Sequence, residues 1–590
     1  MTAEKKSTKK APSKKRAPAK PKRPKAMPDP QALPRPWLAS YPPGVPESYD
    51  YPLVPLTRFL DDAAQDFPHT EAVEFLGYSL SYRELRDQVD RFAAALRGLG
   101  VGKGDRVGIV LPNCPQHVIA VFATLRLGAI VAENNPLYTE AELEHQINDA
   151  GCKVLVILDP VYQRIARLKG KLPTVRHVIA TGIQDALPFP KNLLFPLRGR
   201  KDGTFFAIGE GEGVLRMSEL IARTAPTVEQ AEVDPREDVA MLVYTGGTTG
   251  VSKGVMLTHF NLVANAFQAR LWMPDVQAGR ENVLCVLPFF HSYGLTTELT
   301  LGVLSAATLT LLPRFDVEMA LRTIDKRKPT LFPGVPTMYV ALNSHPDVRK
   351  YDLTSVRACL SGAAPLPVEV AKQFEELTGA KLREGYGLTE TSPITHANPI
   401  YGKAKKGSIG LPVTDTVCAV VDLDDPTKLV EPGQPGELAI WGPQVMKGYW
   451  QRRDATAEMI RDGWLLTGDI AQIDDEGYFA IVDRKKDMII AGGYNIYPRD
   501  IEEVLYEHPK VQKAVVAGIP DPYRGETVKA YIVLKTGQRA TEDEMDAWCR
   551  EKLAAYKVPK SYEFRAELPE TMVGKVLRRL LIDEELAKRS

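Results

Sequence analysis

Short apolar runs alternate with segments of helical spacing through the first third of the chain. Residues 82–99 place Leu85, Val89, Phe92 and Leu96 three or four positions apart, which is one face of a helix. Residues 106–112 are almost wholly apolar and end at Pro112, which reads as a buried strand with a stop. The same logic gives a helix at 116–127, a strand at 129–132, a helix at 139–150 and a strand at 154–158. Thr139 followed by Glu142 is a capping box that starts the third of these helices. Strands that are apolar on both faces and separated by helices belong to a mostly parallel sheet covered on both sides. The expected fold class is therefore α/β.

Further along, glycine-rich crossings set the pattern. An apolar run at 239–243 enters Tyr244-Thr245-Gly246-Gly247-Thr248-Thr249-Gly250-Val251-Ser252-Lys253-Gly254, and a second apolar run at 255–257 leads out to a helix over 258–270. Glycine lets a backbone turn tightly and approach a ligand. The threonine and serine hydroxyls and the Lys253 ammonium add donors, a set suited to a polyphosphate. An ordinary polar turn is the competing reading. The Walker pattern is excluded, because it needs Gly-Lys-Ser/Thr opening a helix, whereas Lys253 follows Ser252 and the loop runs from strand to strand.

Other candidate segments follow in order. Residues 287–294 form an aromatic turn around His291, which alone would read as a core histidine. Cys359 begins a strand that runs into the small-residue turn Gly362-Ala363-Ala364. Glu384-Gly385-Tyr386-Gly387-Leu388-Thr389-Glu390 reads as a second glycine loop carrying a carboxylate, and Asp469 follows a tight turn at Gly468. Residues 483–488 cross between two strands with Asp483, Arg484, Lys485, Lys486 and Asp487, and this charged crossing marks a domain boundary near 483. Beyond it lies a unit of a helix opened by Pro498, strands at 511–518 and 527–534, a helix capped by Thr541 and Glu544, and a glycine turn presenting Lys575 before a basic helix. The expected domains are 1–35, a basic tail and arm; 36–483; and 484–590.

Residues 183–213 break the alternation by mixing Leu, Phe and Pro with Arg198, Arg200 and Lys201. Two readings stand: an insertion that touches a membrane interface, and a surface loop packed on its own domain.

With 590 residues, 44% apolar and 25% charged, the chain has the composition of a soluble globular protein. No run reaches the length of an uncharged membrane span, and no apolar core follows the first lysines, so no secretory signal is expected. Six scattered cysteines point to a reducing, cytoplasmic setting without structural zinc. Residues 1–26 hold eleven Lys/Arg and one acid, a charge of +10 against a net +1, so the remainder stands at −9. Interleaved Lys, Ala and Pro cannot build a core, so this tail is expected to be disordered. It is read as solubilising, with adhesion to anionic lipid or nucleic acid as the alternative, and nucleic acid is not an expected partner of the body.

Taken together, Tyr-Thr-Gly-Gly-Thr-Thr-Gly at 244–250, Gly-Tyr-Gly-Leu-Thr-Glu at 385–390, Thr-Gly-Asp at 467–469, Asp-Arg-Lys-Lys-Asp at 483–487 and Gly-Lys-Val-Leu-Arg-Arg at 574–579 resemble, in the same order, the signature segments of the adenylate-forming superfamily. Within it the likeness is to bacterial long-chain fatty-acid–CoA ligases and runs from Pro36 to Leu580. The resemblance implies a large N-terminal domain of two αβ sheets with a small β-barrel, and a mobile C-terminal α+β domain. It implies ATP, Mg²⁺ and CoA acting on a medium- or long-chain fatty acid. Thr245, Gly246, Gly247, Thr248, Thr249, Gly250, Ser252 and Lys253 would hold the ATP phosphates. Glu390 would bind Mg²⁺, with a hydroxyl from Thr245 or Thr389. Gly362, Ala363, Ala364, Glu384, Gly385, Tyr386 and Gly387 would surround the nucleotide base, and Asp469 and Arg484 the ribose or phosphate.

Three further roles come from the likeness. Lys575 would bridge the carboxylate and α-phosphate. Rotation about Asp483 would bring Gly493 to the CoA path, and His291 and Leu295 would lie on the acyl side. At Leu295 the sequence departs from members that place a tryptophan gate there. Peripheral contact with membrane lipid is a further expectation. Two other functions stay open: an adenylating enzyme that loads a carrier protein, and an inactive binding protein acting through the basic tail.

Overall fold

The computed structural model describes residues 26–209, 212–226, 229–245, 252–491, 494–521, 524–571 and 576–589. Its largest sheet has eight strands in the order Gly448–Tyr449, Gly254–Thr258, Val239–Tyr244, Ile130–Glu133, Arg106–Val110, Val154–Leu158, His177–Thr181, Leu215–Arg216. From Val239–Tyr244 onward all neighbours are parallel, and only the two strands at the Gly448 edge are antiparallel. The parallel strands are the ones with unbroken apolar runs, because both of their faces are covered by helices.

A second layer joins two four-stranded sheets. One runs Asn282–Cys285, Thr308–Leu311, Glu71–Phe75, Tyr78–Ser81, and the other Ala358–Ser361, Lys381–Gly387, Ile394–Ala397, Leu411–Pro412. Leu331 bridges them by pairing with Val283 and Ala358. The helix Pro115–Arg126 is buried along its whole length, and its residues join the main apolar core. Arg126 at its end is admitted to the interior by pairing with Asp61 and Asp90, as a buried charge requires.

A further sheet is made of Val417–Val421, Gly436–Trp441, Trp464–Ile473, Ile460–Arg461 and Phe479–Arg484, an antiparallel set of five in the place of the small barrel that the resemblance implies. The N-terminal arm is laid on it. Trp37 is buried with its ring 6.0 Å from Phe479, and the absent side chain of Gly477 makes room for the Trp37 backbone. A last sheet has the order Tyr494–Ile496, Ile489–Ala491, Gly525–Leu534, Val511–Asp521, with Ser561–Phe564 beside Gly525–Leu534. It packs with the helices Pro498–Tyr506 and Glu542–Lys552 around a core of its own.

Two local readings change. The segment 384–390 is not a loop: Lys381–Gly387 is a strand, followed by a short 3-10 turn at Thr389–Thr391. Its glycines answer to crowding, since a Cβ on Gly387 would lie 1.9 Å from the Pro393 carbonyl oxygen and one on Gly385 would meet Leu360. Likewise, Asp469 lies inside the strand Trp464–Ile473, where Gly468 takes a positive φ of 70° without ending the strand. Within 183–213, for which two readings stand, residues Lys191–Asp202 form a helix with Pro196 inside it. The capping boxes at Ser81–Glu84, Thr139–Glu142 and Thr258–Asn261 hold their helices, the second as expected. The six cysteines are buried free thiols. Among the described residues, no helix is long and apolar enough to cross a membrane.

Candidate nucleotide site

The glycine- and hydroxyl-rich crossing starts and ends on an antiparallel pair, Val239–Tyr244 against Gly254–Thr258, with Tyr244 opposite Gly254. Thr245 N–H donates to the Lys253 carbonyl at 3.1 Å, and Ser252 Oγ donates to the Thr245 carbonyl at 2.6 Å, so the neck is closed by its own polar groups. Tyr244 donates to Asp149 at 2.9 Å and anchors one side. Gly246, Gly247, Thr248, Thr249 and Gly250, together with Gly493 and Lys575, lie outside the described residues.

Two polar groupings meet near this neck. In the first, Lys253 Nζ sits 5.0 Å from the ring centroid of Tyr449, whose hydroxyl donates to Glu390 Oε1 at 2.7 Å. Tyr449 thus spaces a cation and a carboxylate, and the carboxylate raises the phenol pKa further above the level that burial sets. The backbone of Glu390 is fixed by Met446 N–H at 2.8 Å. Thr389 Oγ1 accepts from Ser292 Oγ at 3.3 Å, which ties this turn to the aromatic one.

The second grouping is Tyr386, Asp469 and Arg484. Tyr386 donates to Asp469 Oδ2 at 2.5 Å, and Arg484 Nε lies 3.2 Å from Asp469 Oδ1. Asp469 and Arg484 face each other across neighbouring strands. Burial pushes the Tyr386 hydroxyl well up, and the Asp469 charge adds to it. Burial opposes the charge on Arg484, but Asp469, Tyr386 and Asp487 together more than restore it. The segment 384–390 carries Tyr386 of one grouping and Glu390 of the other, so a single strand end joins them.

The small-residue turn lies beside this strand end. Ala363 has φ of 67°, the left-handed region that a residue with a side chain seldom adopts. A Cβ on Gly362 would meet the Tyr293 ring at 3.0 Å, so the aromatic turn directly backs it. Leu366 N–H, just past the turn, donates to Glu384 Oε2 at 3.2 Å. Burial pushes the Glu384 carboxyl up to about 7 despite that bond.

At the charged crossing, Asp483 accepts from Arg484 N–H at 2.7 Å and Arg499 N–H at 2.9 Å, the second within the first turn of the helix Pro498–Tyr506. An acid there suits the helix N-terminus. Burial still raises Asp483 to about 6. Arg578, from the last helix, pairs with Asp487 and Glu502 at 2.6 and 2.7 Å. In the aromatic turn, His291 Nδ1 accepts from Tyr293 N–H at 3.2 Å, and Leu295 is fully buried at the start of a π-helical turn, Leu295–Thr300.

Some site-forming residues had no sequence signal. Tyr449 comes from the edge strand that pairs with Gly254–Thr258. Lys486, which the sequence marks only as part of the charged crossing, is held below the usual lysine range by burial and then by Arg484, while Asp487, Asp469 and Glu390 act in the opposite sense. Below the aromatic turn, Asn113 accepts from Phe289 N–H and donates to the Leu287 carbonyl, and the fully buried pair His117–Glu133 sits against Phe289. Glu298 accepts from the Val286 and Leu287 amides, and burial pushes its carboxyl well above the usual glutamate range. Among the described residues, no cluster of three or more His, Cys, Asp or Glu could hold a metal by itself.

A parallel-sheet α/β body and a separate small sheet, with a lysine, a carboxylate and a Tyr–Asp–Arg set gathered at a strand-to-strand glycine crossing, define a nucleotide-dependent enzyme. Two family profiles match the sequence: AMP-binding enzyme over residues 60–450, and the AMP-binding enzyme C-terminal domain over residues 500–575. The chain belongs to the AMP-binding enzyme family. It is 49% identical over 551 residues to a long-chain-fatty-acid–CoA ligase of Bacillus subtilis (strain 168), covering 93% of this chain and 98% of that one. It is 40% identical over 567 residues to a long-chain-fatty-acid–CoA ligase of Escherichia coli O157:H7, covering 94% and 98%. Among solved structures it is similar to the anthranilate CoA ligase AuaEII in complex with anthranoyl-AMP, with a TM-score of 0.80, 28% identity, and 91% and 98% of the two chains covered.

Proposed function

We propose that this enzyme activates a medium- or long-chain fatty acid with ATP and transfers the acyl group to CoA. The observation that carries the site assignment is the strand end 384–390, which joins the Lys253–Tyr449–Glu390 grouping to Tyr386–Asp469–Arg484. The identity to long-chain ligases over nearly the whole of both chains supports the fatty acyl class. In the first half-reaction a carboxylate oxygen bonds to the α-phosphorus and the bond to pyrophosphate breaks, leaving acyl-AMP. In the second, the CoA sulfur bonds to the acyl carbon and AMP leaves. Two anions must approach in line in the first step, so cations have to neutralise them.

Each residue then has a role. Lys253, Thr245, Ser252 and the glycines 246, 247 and 250 with Thr248 and Thr249 hold the distal phosphates. Tyr386 and the turn 362–364 flank the base, with Glu384, Gly385 and Gly387 shaping that wall. Asp469 accepts from the ribose hydroxyls, and Arg484 holds Asp469 in place. Lys575 stabilises charge on the α-phosphate and carboxylate in the transition state. Glu390 fits Mg²⁺: a hard ion takes one or two protein carboxylates and completes its shell with phosphate oxygens and water. One Glu390 oxygen is taken by Tyr449, and the other remains for the ion, with Thr389 or Thr245 as a neighbouring hydroxyl. Bound there, the ion would neutralise phosphate charge.

For the domains we propose boundaries at 35 and 483, with Asp483 as the hinge about which 484–590 rotates between half-reactions, bringing Gly493 toward CoA. His291 and Leu295 border the acyl chain. The enzyme works in the cytoplasm, in peripheral contact with membrane lipid.

The test is acyl-dependent pyrophosphate release measured with and without CoA. Release with stoichiometric acyl-CoA formation is expected. Release without any thioester would reassign the acceptor to a carrier protein, and no release with any fatty acid would refute the proposal.

A further inference from the structure

The helix Lys191–Asp202 carries its apolar residues on the wrong side for a packed surface helix. Its inner seam is made by Phe195 and the buried Gly199, where a Cβ on Gly199 would lie 2.7 Å from Phe205. Meanwhile Leu193, Leu194 and Leu197 stand 65%, 57% and 67% exposed, and Phe189, just before the helix, is 79% exposed. Leu193 and Leu197 are one turn apart with Leu194 alongside, so these side chains form one outward face. A contiguous patch of large apolar side chains on a water-facing surface marks an interaction site.

Its surroundings indicate the partner. Lys191, Arg198, Arg200 and Lys201 lie on the same twelve-residue helix and are all exposed, against the single acid Asp202. Lys191 reaches the Leu76 carbonyl at 2.9 Å, and the Arg200 guanidinium rests 5.7 Å from the Phe205 ring, so part of the basic rim is held in place. Apolar side chains projecting from a basic surface are the composition of a helix that lies in the interface of an anionic bilayer.

The face also has a place in the fold. A cleft of about 380 Å³ is lined by Tyr78, Ile119, Asp185, Ala186, Met217 and Ile221, and Asp185 and Ala186 belong to the turn that leads into this helix. The helix Pro115–Arg126 supplies Ile119 to the cleft and His117 to the contact with Phe289 of the aromatic turn. The same buried helix thus borders both this cleft and the aromatic turn.

We propose that Phe189, Leu193, Leu194 and Leu197, with their basic rim, dock the enzyme on an anionic lipid bilayer. Docking itself is independent of the reaction; that it serves delivery of an acyl chain rests on the fatty-acid reading above.

The experiment is co-sedimentation of the full chain with vesicles of phosphatidylcholine alone and of equal parts phosphatidylcholine and phosphatidylglycerol. Wild type is expected on the mixed vesicles. Leu193→Ser/Leu197→Ser should partition at least about tenfold more weakly, with unchanged melting temperature and unchanged turnover of a water-soluble medium-chain acid. Arg198→Glu/Lys201→Glu should lose the preference for anionic vesicles. Because the tail of residues 1–26 is itself basic, a variant lacking it should still bind in a manner sensitive to the leucine substitutions. Equal partitioning of wild type and the leucine variant would overturn the proposal. So would absence of wild-type binding, binding that vanishes with the tail alone, or a leucine variant that changes only the oligomeric state. Failure of acyl activation with intact vesicle binding would instead refute the proposed reaction and leave the docking face standing.

Discussion

At the scale of single residues, Tyr449 makes the sharpest claim, because its ring and its hydroxyl serve different partners. The ring faces Lys253 and the hydroxyl donates to Glu390. Tyr449→Phe keeps the ring and deletes the bond to a charged acceptor, worth about 1.5 kcal/mol or roughly a tenfold loss in kcat/KM for ATP. Tyr449→Leu removes the cation–π contact as well and should cost about a further 0.5–1 kcal/mol. Steady-state kinetics at saturating acid check both, and equal effects would show that the ring does not hold Lys253. Glu384 gives a pH-dependent claim. Its carboxyl is raised to about 7 by burial, so its contribution to stability is full below the ordinary glutamate range and is lost as pH rises through about 7. Melting temperatures of wild type should therefore fall relative to Glu384→Gln between about pH 5 and about pH 8. Parallel profiles for the two proteins would mean that the site does not burden the charged form.

At the scale of elements, the glycines divide by what surrounds them. Gly387→Ala would drive a Cβ into the Pro393 carbonyl, and backbone cannot step aside as a flexible side chain can. A cost of about 1–3 kcal/mol is expected, with activity falling because Tyr386 and Glu390 flank the position. Gly98 ends the helix Tyr82–Gly98 and has open space where a methyl group would stand, with nothing within 4 Å, so Gly98→Ala should stabilise by up to about 1 kcal/mol. Denaturant midpoints of the two variants decide it. The same contrast explains what was legible in the sequence. The parallel strands 106–110, 130–133 and 154–158 were readable because burial on both faces writes itself as an apolar run, and the capping box at Thr139 because its two partners are three residues apart. The strand Lys381–Gly387 was misread as a loop because glycine signals turns locally, whereas here it answers to Pro393 and Leu360, contacts that only the fold supplies. Tyr449 was invisible for the same reason: it reaches Glu390 from 59 positions away.

For the molecule as a whole, polar contacts at the charged crossing link the small sheet to the body. Asp483 accepts the amide of Arg484 inside the crossing and that of Arg499 beyond it, Arg499 Nη1 donates to the Ile481 carbonyl at 2.7 Å, and Arg578 ties the last helix to Asp487 of the crossing. Contacts of this kind are polar, so their rearrangement does not require exposing an apolar core, which the small domain keeps for itself. The order of motifs along the sequence was enough to suggest that Lys575 acts on a site built more than 300 positions earlier, but only kinetics can say in which half-reaction. If the small domain turns between steps, a lysine required for adenylation has no task once acyl-AMP exists. Lys575→Ala should then lose ATP-dependent pyrophosphate release by about a hundredfold or more while converting supplied acyl-AMP and CoA to acyl-CoA at close to the wild-type rate. Loss of both half-reactions to the same degree would mean that Lys575 serves a single fixed arrangement, and the rotation about Asp483 would have to be abandoned.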